Sequence, residues 1–236
     1  MVFELALVMP VYNEEACIEH VVLSWYKELS GLNINFVMLV LNDGSRDGTE
    51  SKLAQFAQND HIKIINKKNS GHGPTILQGY HMGVNLAEWI FQTDSDDEMK
   101  PKHFKELWNR RKEYDALFGF RQGREQSYSR SFISFVSRQT VETIFGKGVM
   151  DVNTPYRLVR SELLKNITKQ IPDDSFAPNV MISGALAKAS ARIYNHPVPH
   201  EGRRTGKASI VRWRLWKFSV LSFLQTLKCR PKLGDF

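Results

Sequence analysis

The chain is poor in cysteine. Cys17 and Cys229 are the only two in 236 residues, too far apart for a metal knuckle and too few for a disulfide scaffold, so both read as ordinary thiols of a reducing cytosol. No secretory leader is expected: the apolar run from Leu5 to Val11 has Glu4 before it and Asn13, Glu14 and Glu15 after it, with no basic start. A cytoplasmic location is therefore expected. Internal repeats and low-complexity tracts are absent. With 42% apolar and 24% charged residues, the composition predicts one globular domain of substantial size. We place it at residues 1–209, followed by a basic amphipathic segment at 210–236.

What the chain has in excess is positive charge, a formal +7, which implies an anionic partner: nucleic acid, phospholipid headgroups or a phosphorylated substrate. The charges are unevenly placed. Basic residues gather late, at Arg203, Arg204, Lys207, Arg212, Arg214 and Lys217, whereas carboxylates form short clusters in the first half. This asymmetry argues for local sites.

Hydrophobic patterning predicts strands at Leu5 to Met9, Phe36 to Leu41, His61 to Ile65 and Trp89 to Thr93. Between them lie helices over Glu14 to Leu29, over Thr49 to Gln58, and from the Gly-rich loop Asn69 to Pro74 through Leu86. Four βα units in succession predict a mostly parallel sheet with helices on both faces, whose ligand sits outside the carboxyl ends of the strands. Farther along, helices are expected at Pro101 to Tyr114, Ser129 to Phe145 and Asn179 to Ala189, and strands at Ala116 to Phe120, Tyr156 to Val159 and Arg192 to His196.

Polar clusters follow three of the early strands: Pro10-Val11-Tyr12-Asn13-Glu14, Asn42-Asp43-Gly44-Ser45-Arg46-Asp47-Gly48-Thr49, and Asp94-Ser95-Asp96-Asp97-Glu98. Singly, each could be a helix cap or a turn. Jointly, they converge on one crevice. A nucleoside diphosphate brought to such acids would be repelled unless a hard cation stood between, and Mg²⁺ or Mn²⁺ accepts one or two carboxylates plus phosphate oxygens. Asp94 and Asp96, two apart on an extended segment, share a side and could hold ribose and metal together, with Glu98 as a further ligand. Asp43, on a glycine-bracketed turn, can accept a hydrogen bond from a base N–H, and Tyr12 can lie against that base. The loop at Gly71 brings its backbone close to a phosphate or to a neighbouring helix. His72 in that loop reads as structural more readily than as a base.

These three motifs, in this order and spacing, resemble the signature of family-2 glycosyltransferases with the GT-A fold, an α/β architecture with a Rossmann-like, mostly parallel central sheet flanked by helices. The resemblance implies an enzyme that takes a sugar from a nucleotide diphosphate. It puts Pro10, Tyr12, Asn13, Glu14, Asp43, Gly71 and Asp94 around the nucleotide, and makes Asp94 and Asp96 the Asp-x-Asp element at ribose, diphosphate and metal. Asn42 departs from the pattern, standing where the family often has another Asp.

Beyond residue 100, Gly119-Phe120-Arg121, Arg130 with Ser131 and Ser134, Asp151 with Pro155-Tyr156-Arg157, and Arg203-Arg204-Thr205-Gly206-Lys207 resemble the polyprenyl-phosphate group that includes dolichol-phosphate mannose synthase. By that resemblance Glu98 sits where a Gln completes the metal shell, Arg121 and Arg130 meet an acceptor phosphate, and Arg203, Arg204 and Lys207 close over the diphosphate. An acceptor phosphate is anionic and needs no general base, whereas a saccharide hydroxyl would require one, from Asp151 or Asp97. The stretch from Ile210 to Leu224 mixes Trp and Phe with Arg and Lys. Charge interrupts it, so it is too short of apolar length to span a bilayer; it suits the interface, or packing on the domain or in a homo-oligomer.

The expectation is thus an inverting hexosyltransferase acting at the inner membrane face, with polyprenyl phosphate as acceptor or, alternatively, a saccharide hydroxyl in surface polysaccharide synthesis. A nucleotidyltransferase is disfavoured because no Gly-rich loop bearing Lys or Arg follows the first strand. A noncatalytic nucleic-acid-binding or membrane-binding module would leave the acids unexplained.

Overall fold

A computed structural model describes residues 2–122 and 148–202. The expected helix from Ser129 to Phe145, with Arg130, and the basic positions Arg203, Arg204 and Lys207 with the segment 210–236, lie outside these residues.

Among the described residues seven strands form one sheet, in the order β3-β2-β1-β4-β6-β5-β7. They are β1 (Phe3–Val11), β2 (Phe36–Asn42), β3 (Ile62–Asn66), β4 (Ala87–Gln92), β5 (Ala116–Gln122), β6 (Arg157–Arg160) and β7 (Ile193–Pro199). Six run the same way and β6 alone is antiparallel to its neighbours, so the mostly parallel sheet is present as expected. The helices are α1 (Ile18–Gly31), α2 (Thr49–Ala54), α3 (His72–Gly83), α4 (Phe104–Arg110), α5 (Ser161–Thr168) and α6 (Pro178–Lys188).

The strands read as unbroken apolar runs because both faces of the sheet are covered. Ala6 and Val8 of β1, with Val37, Leu39 and Leu41 of β2, pack toward α3, α5 and α6 in one core. Leu5, Leu7 and Met9, with Phe36, Met38 and Val40, enter a second core with Trp25 of α1 and Phe104 of α4. Two-residue periodicity divides one stretch between two cores.

Some local expectations needed revision. The helix after β2 stops at Ala54 and its remainder becomes turns; the segment from Pro101 is a single 3-10 turn (Pro101–His103) followed by the shorter α4; and α5 was not expected. In α5 the buried Leu164 and Ile167, three apart with Leu163 beside them, form an amphipathic face, but eight residues fall short of the window over which a helical period is read.

Pro10 shows how the sheet opens. In a parallel ladder alternate residues bond to opposite neighbours: the Val11 carbonyl accepts from Asp43 N–H on the β2 side, while the Val8 carbonyl accepts from Thr93 N–H on the β4 side. The missing N–H of Pro10 would therefore face β4, where the pairing has already ended at Val8 and Gln92. A proline is tolerated there at no ladder cost. Here strand order also reverses, and β1 and β4 part to leave a crevice.

Candidate active site

Three loops meet at this crevice. Asn13, in the left-handed region with φ 54° that Asn tolerates, ties the first loop to the second. Its N–H donates to Ser45 Oγ at 3.0 Å, and its Oδ1 accepts from Arg46 N–H at 2.8 Å. Glu14 N–H donates to Thr49 Oγ1 at 2.9 Å. Asp47 accepts from Thr49 N–H and Oγ and from Glu15 N–H. Burial alone would raise the Asp47 carboxyl, but these bonds outweigh it and hold it below the usual carboxylate value. The turn residues are thus the fastening between loops.

Asp43 is buried and organises the third loop. Its Oδ1 accepts from Ser70 N–H at 2.8 Å, its Oδ2 from Gly71 N–H at 2.9 Å, and its backbone carbonyl from the Asn69 amide at 2.7 Å. Gly71 sits at φ 98°, a conformation that favours glycine. Lys67, which sequence reasoning passed over, forms an ion pair with Asp43 and also donates to Ser70 Oγ at 2.6 Å. Its only local signal was a cation between a strand and a Gly-rich loop.

The acidic turn after β4 lines a cleft with Thr93, Met99, Arg121, Pro155 and His200. Asp94, Asp96 and Glu98 all reach it; Asp97, at φ 60°, turns its carboxylate to Lys100 instead. Asp94 accepts from Gln92 Nε2 at 3.0 Å, and His72 Nε2 lies 3.6 Å from it. Asp96 Oδ1 accepts from Glu98 N–H at 3.2 Å. Glu98 Oε2 meets His200 Nε2 at 2.7 Å, and that imidazole is only 7% exposed. No local pattern marked His200; it arrives from β7, at the far edge of the sheet.

In the same cleft, Arg121 donates through Nε to Asp151 Oδ2 at 2.7 Å and through Nη2 to Asp151 Oδ1 at 3.0 Å. Burial opposes both charges, yet each partner holds the other ionised: Asp151 lies below the usual carboxylate value, and Arg121 is shifted further up. Beneath them Arg157 is fully buried, donating to the carbonyls of Thr154, Asn179 and Val152. Burial pulls its pKa down.

The structure therefore brings together Tyr12, Asn13, Glu14, Asp43, Gly71, Asp94, Asp96, Glu98, Arg121 and Asp151 around the carboxyl ends of the strands. Among the described residues no group of three or more His, Cys, Asp or Glu is arranged to hold a metal unaided. Oxygen donors with one imidazole nitrogen lining one cleft nonetheless suit Mg²⁺ or Mn²⁺, which keep positions for phosphate oxygens.

A sequence model of glycosyl transferase family 2 matches residues 6–168. An uncharacterized glycosyltransferase of Synechocystis is 26% identical over 243 residues, covering all of this chain and 74% of that protein. An uncharacterized protein of Methanocaldococcus jannaschii is 28% identical over 207 residues, covering 82% and 86%. Among solved structures, glucosyl-3-phosphoglycerate synthase from Mycobacterium tuberculosis, in complex with Mn²⁺, UDP and phosphoglyceric acid, superposes with a TM-score of 0.69 at 17% identity, covering 97% of this chain and 78% of that one. Staphylococcus aureus TarS superposes with a TM-score of 0.59 at 19% identity, covering 84% and 60%. These superpositions show a shared GT-A fold.

Proposed function

The chain belongs to glycosyl transferase family 2 and is a nucleotide-sugar-dependent glycosyltransferase, and from that premise we propose that it moves a hexose from a UDP- or GDP-sugar to polyprenyl phosphate, with inversion and with Mg²⁺ or Mn²⁺. The loops fastened by Asn13, Asp43 and Lys67 receive the nucleoside, with Tyr12 against the base. Asp94 takes the ribose side. Asp96 and His200, with Glu98, would hold the cation, which when bound neutralises the diphosphate and stabilises it as it departs.

The acceptor assignment rests on the Arg121–Asp151 pair. An acid held ionised below its usual range by a bidentate guanidinium is a weak proton acceptor, so Asp151 is poorly suited to activate a hydroxyl. Its partner is well suited to an anion. A phosphate oxygen is already charged: it attacks the anomeric carbon as the bond to the diphosphate oxygen breaks, the nucleoside diphosphate leaves with the electron pair, and no proton has to move. Arg121 steers the incoming phosphate, and Asp151 fixes the plane of Arg121.

Membrane contact at the cytoplasmic face belongs to the same reading and is supported by the Trp- and Arg-rich sequence after Ile210. No helix among the described residues is long and apolar enough to cross a membrane.

Incubating the protein with labelled sugar nucleotides and short-chain polyprenyl phosphate, with and without EDTA, tests the proposal. A chelator-sensitive lipid product is expected. Transfer only to saccharide acceptors, abolished by Asp151→Asn with donor binding intact, would replace it with the hydroxyl route.

A further inference from the structure

Behind the acidic turn runs a chain of side-chain hydrogen bonds that the donor reading does not use. Tyr80 of α3 donates its hydroxyl to Asn179 Oδ1 of α6 at 3.0 Å. Asn179 Nδ2 donates to Gln92 Oε1, at the end of β4, at 3.0 Å. Gln92 Nε2 donates to Asp94 Oδ1, again at 3.0 Å. Tyr80, Asn179 and Gln92 are all buried, so water does not compete for the first two bonds, and the third runs from the buried Gln92 amide to the partly exposed Asp94 carboxylate. Arg157 anchors the middle of the chain from below, through Nη1 to the Asn179 backbone carbonyl at 3.0 Å.

The ends of the chain fix its direction. A carboxylate can only accept, so Gln92 must present its NH₂ to Asp94 and its carbonyl to Asn179. Asn179 must then present its own NH₂ to Gln92 and its carbonyl to Tyr80. The Tyr80 hydroxyl donates to that carbonyl, and burial keeps this phenol protonated. Any flip along the line sets oxygen against oxygen or hydrogen against hydrogen. The contact from Asp94 to His72 is long, at 3.6 Å, and half-exposed, so the Gln92 amide at 3.0 Å is the firmer restraint.

We propose that Gln92 and Asn179 are positioning residues of the donor site: the relay from Tyr80 through Asn179 and Gln92 holds the Asp94 carboxylate in one orientation, so donor recognition is set by side chains that never touch the donor. This rests on the donor-binding reading of Asp94.

Titration calorimetry of UDP and GDP with Mn²⁺ against the wild type, Gln92→Met, Tyr80→Phe, Asp94→Asn and the double variants tests it. Gln92→Met is expected to weaken nucleotide binding about tenfold, the scale of a lost hydrogen bond to a charged group, with unchanged far-UV circular dichroism. Tyr80→Phe, at the far end, should weaken it roughly two- to threefold, a distant neutral bond being weaker. In the Asp94→Asn background both effects should largely vanish, because residues acting through one group are not additive. Unchanged affinity in Gln92→Met, or losses that simply add to that of Asp94→Asn, would overturn the proposal. Should Gln92→Met fail to fold, Tyr80→Phe carries the same cycle. A wild-type protein that binds neither nucleotide sinks the donor reading instead. The relay is then judged on nucleotide-free crystals of Gln92→Met, where an Asp94 carboxylate still in its wild-type place refutes it.

Discussion

Arg121 and Asp151 face each other edge to edge through two parallel hydrogen bonds, of 2.7 and 3.0 Å, across thirty residues of sequence. The pair is mostly shielded, with side chains 16% and 21% exposed. Asp151→Asn leaves Arg121 without its counter-charge and should cost about 1–3 kcal/mol, between the exposed and the fully buried cases. The pH dependence follows from the lowered Asp151 carboxyl. Its folded-state value lies below its unfolded one, so the contribution is present above the unfolded value of about 3.9 and is lost as pH falls through the folded value. Urea unfolding of wild type and variant should differ fully at pH 7 and converge well below pH 4; a difference that grows on acidification would refute the pairing.

Asp96 carries the metal prediction. Asp96→Asn should abolish the rise in melting temperature that UDP or GDP produces with Mn²⁺, since a ligand stabilises only what binds it. His200→Phe should weaken Mn²⁺ by about tenfold or more, the usual scale for altering a metal shell. Differential scanning fluorimetry against a manganese series reads both; a full shift in Asp96→Asn would remove this residue from the site.

Lys67 and Asp43 form a deeply buried ion pair at the crevice, with side chains 13% and 4% exposed. Lys67→Met strands a buried carboxylate and should cost on the order of 3 kcal/mol. Nucleotide affinity should fall as well, because Ser70 and Gly71 are held through the same carboxylate. Equilibrium unfolding with nucleotide titration checks both, and little salt dependence is expected for so shielded a pair.

Gly73 and Gly31 offer a paired test. A β-carbon at Gly73 would lie 2.2 Å from the Ser175 carbonyl oxygen and 2.4 Å from that of Phe176, so Gly73→Ala must move backbone. It should destabilise by about 1–3 kcal/mol and disturb the adjoining loop at Gly71. At Gly31, the last residue of α1, nothing lies within 4 Å, and Gly31→Ala should be neutral or stabilising by up to about 1 kcal/mol. Thermal melts of the two variants should move in opposite directions or differ by several degrees.

Much of the first half was legible because its signals are local. Leu5 to Met9 and Phe36 to Leu41 announce covered strands by apolar continuity, and the polar clusters stand directly after them. The later part was less so. The short α5 has an amphipathic face but only eight residues in which to read it, and β6 announces nothing of its antiparallel place between β4 and β5. Within the site, Asp94 and Asp96 could be named from spacing alone, whereas His200 could not, since it meets Glu98 only after the chain has traversed the sheet from 98 to 200.

The sequence by itself determined the alternation of strands and helices, the two-faced burial of the sheet and the family to which its three motifs belong, because each depends on residues within a few positions of one another. Only the tertiary structure decided which groups are engaged and by whom: Asp151 with Arg121, Lys67 with Asp43, and Tyr80 with Asn179 across ninety-nine residues. Those bonds are matters of ångström distances between chain-remote atoms, and burial gives them their strength. Local residue order encodes neither.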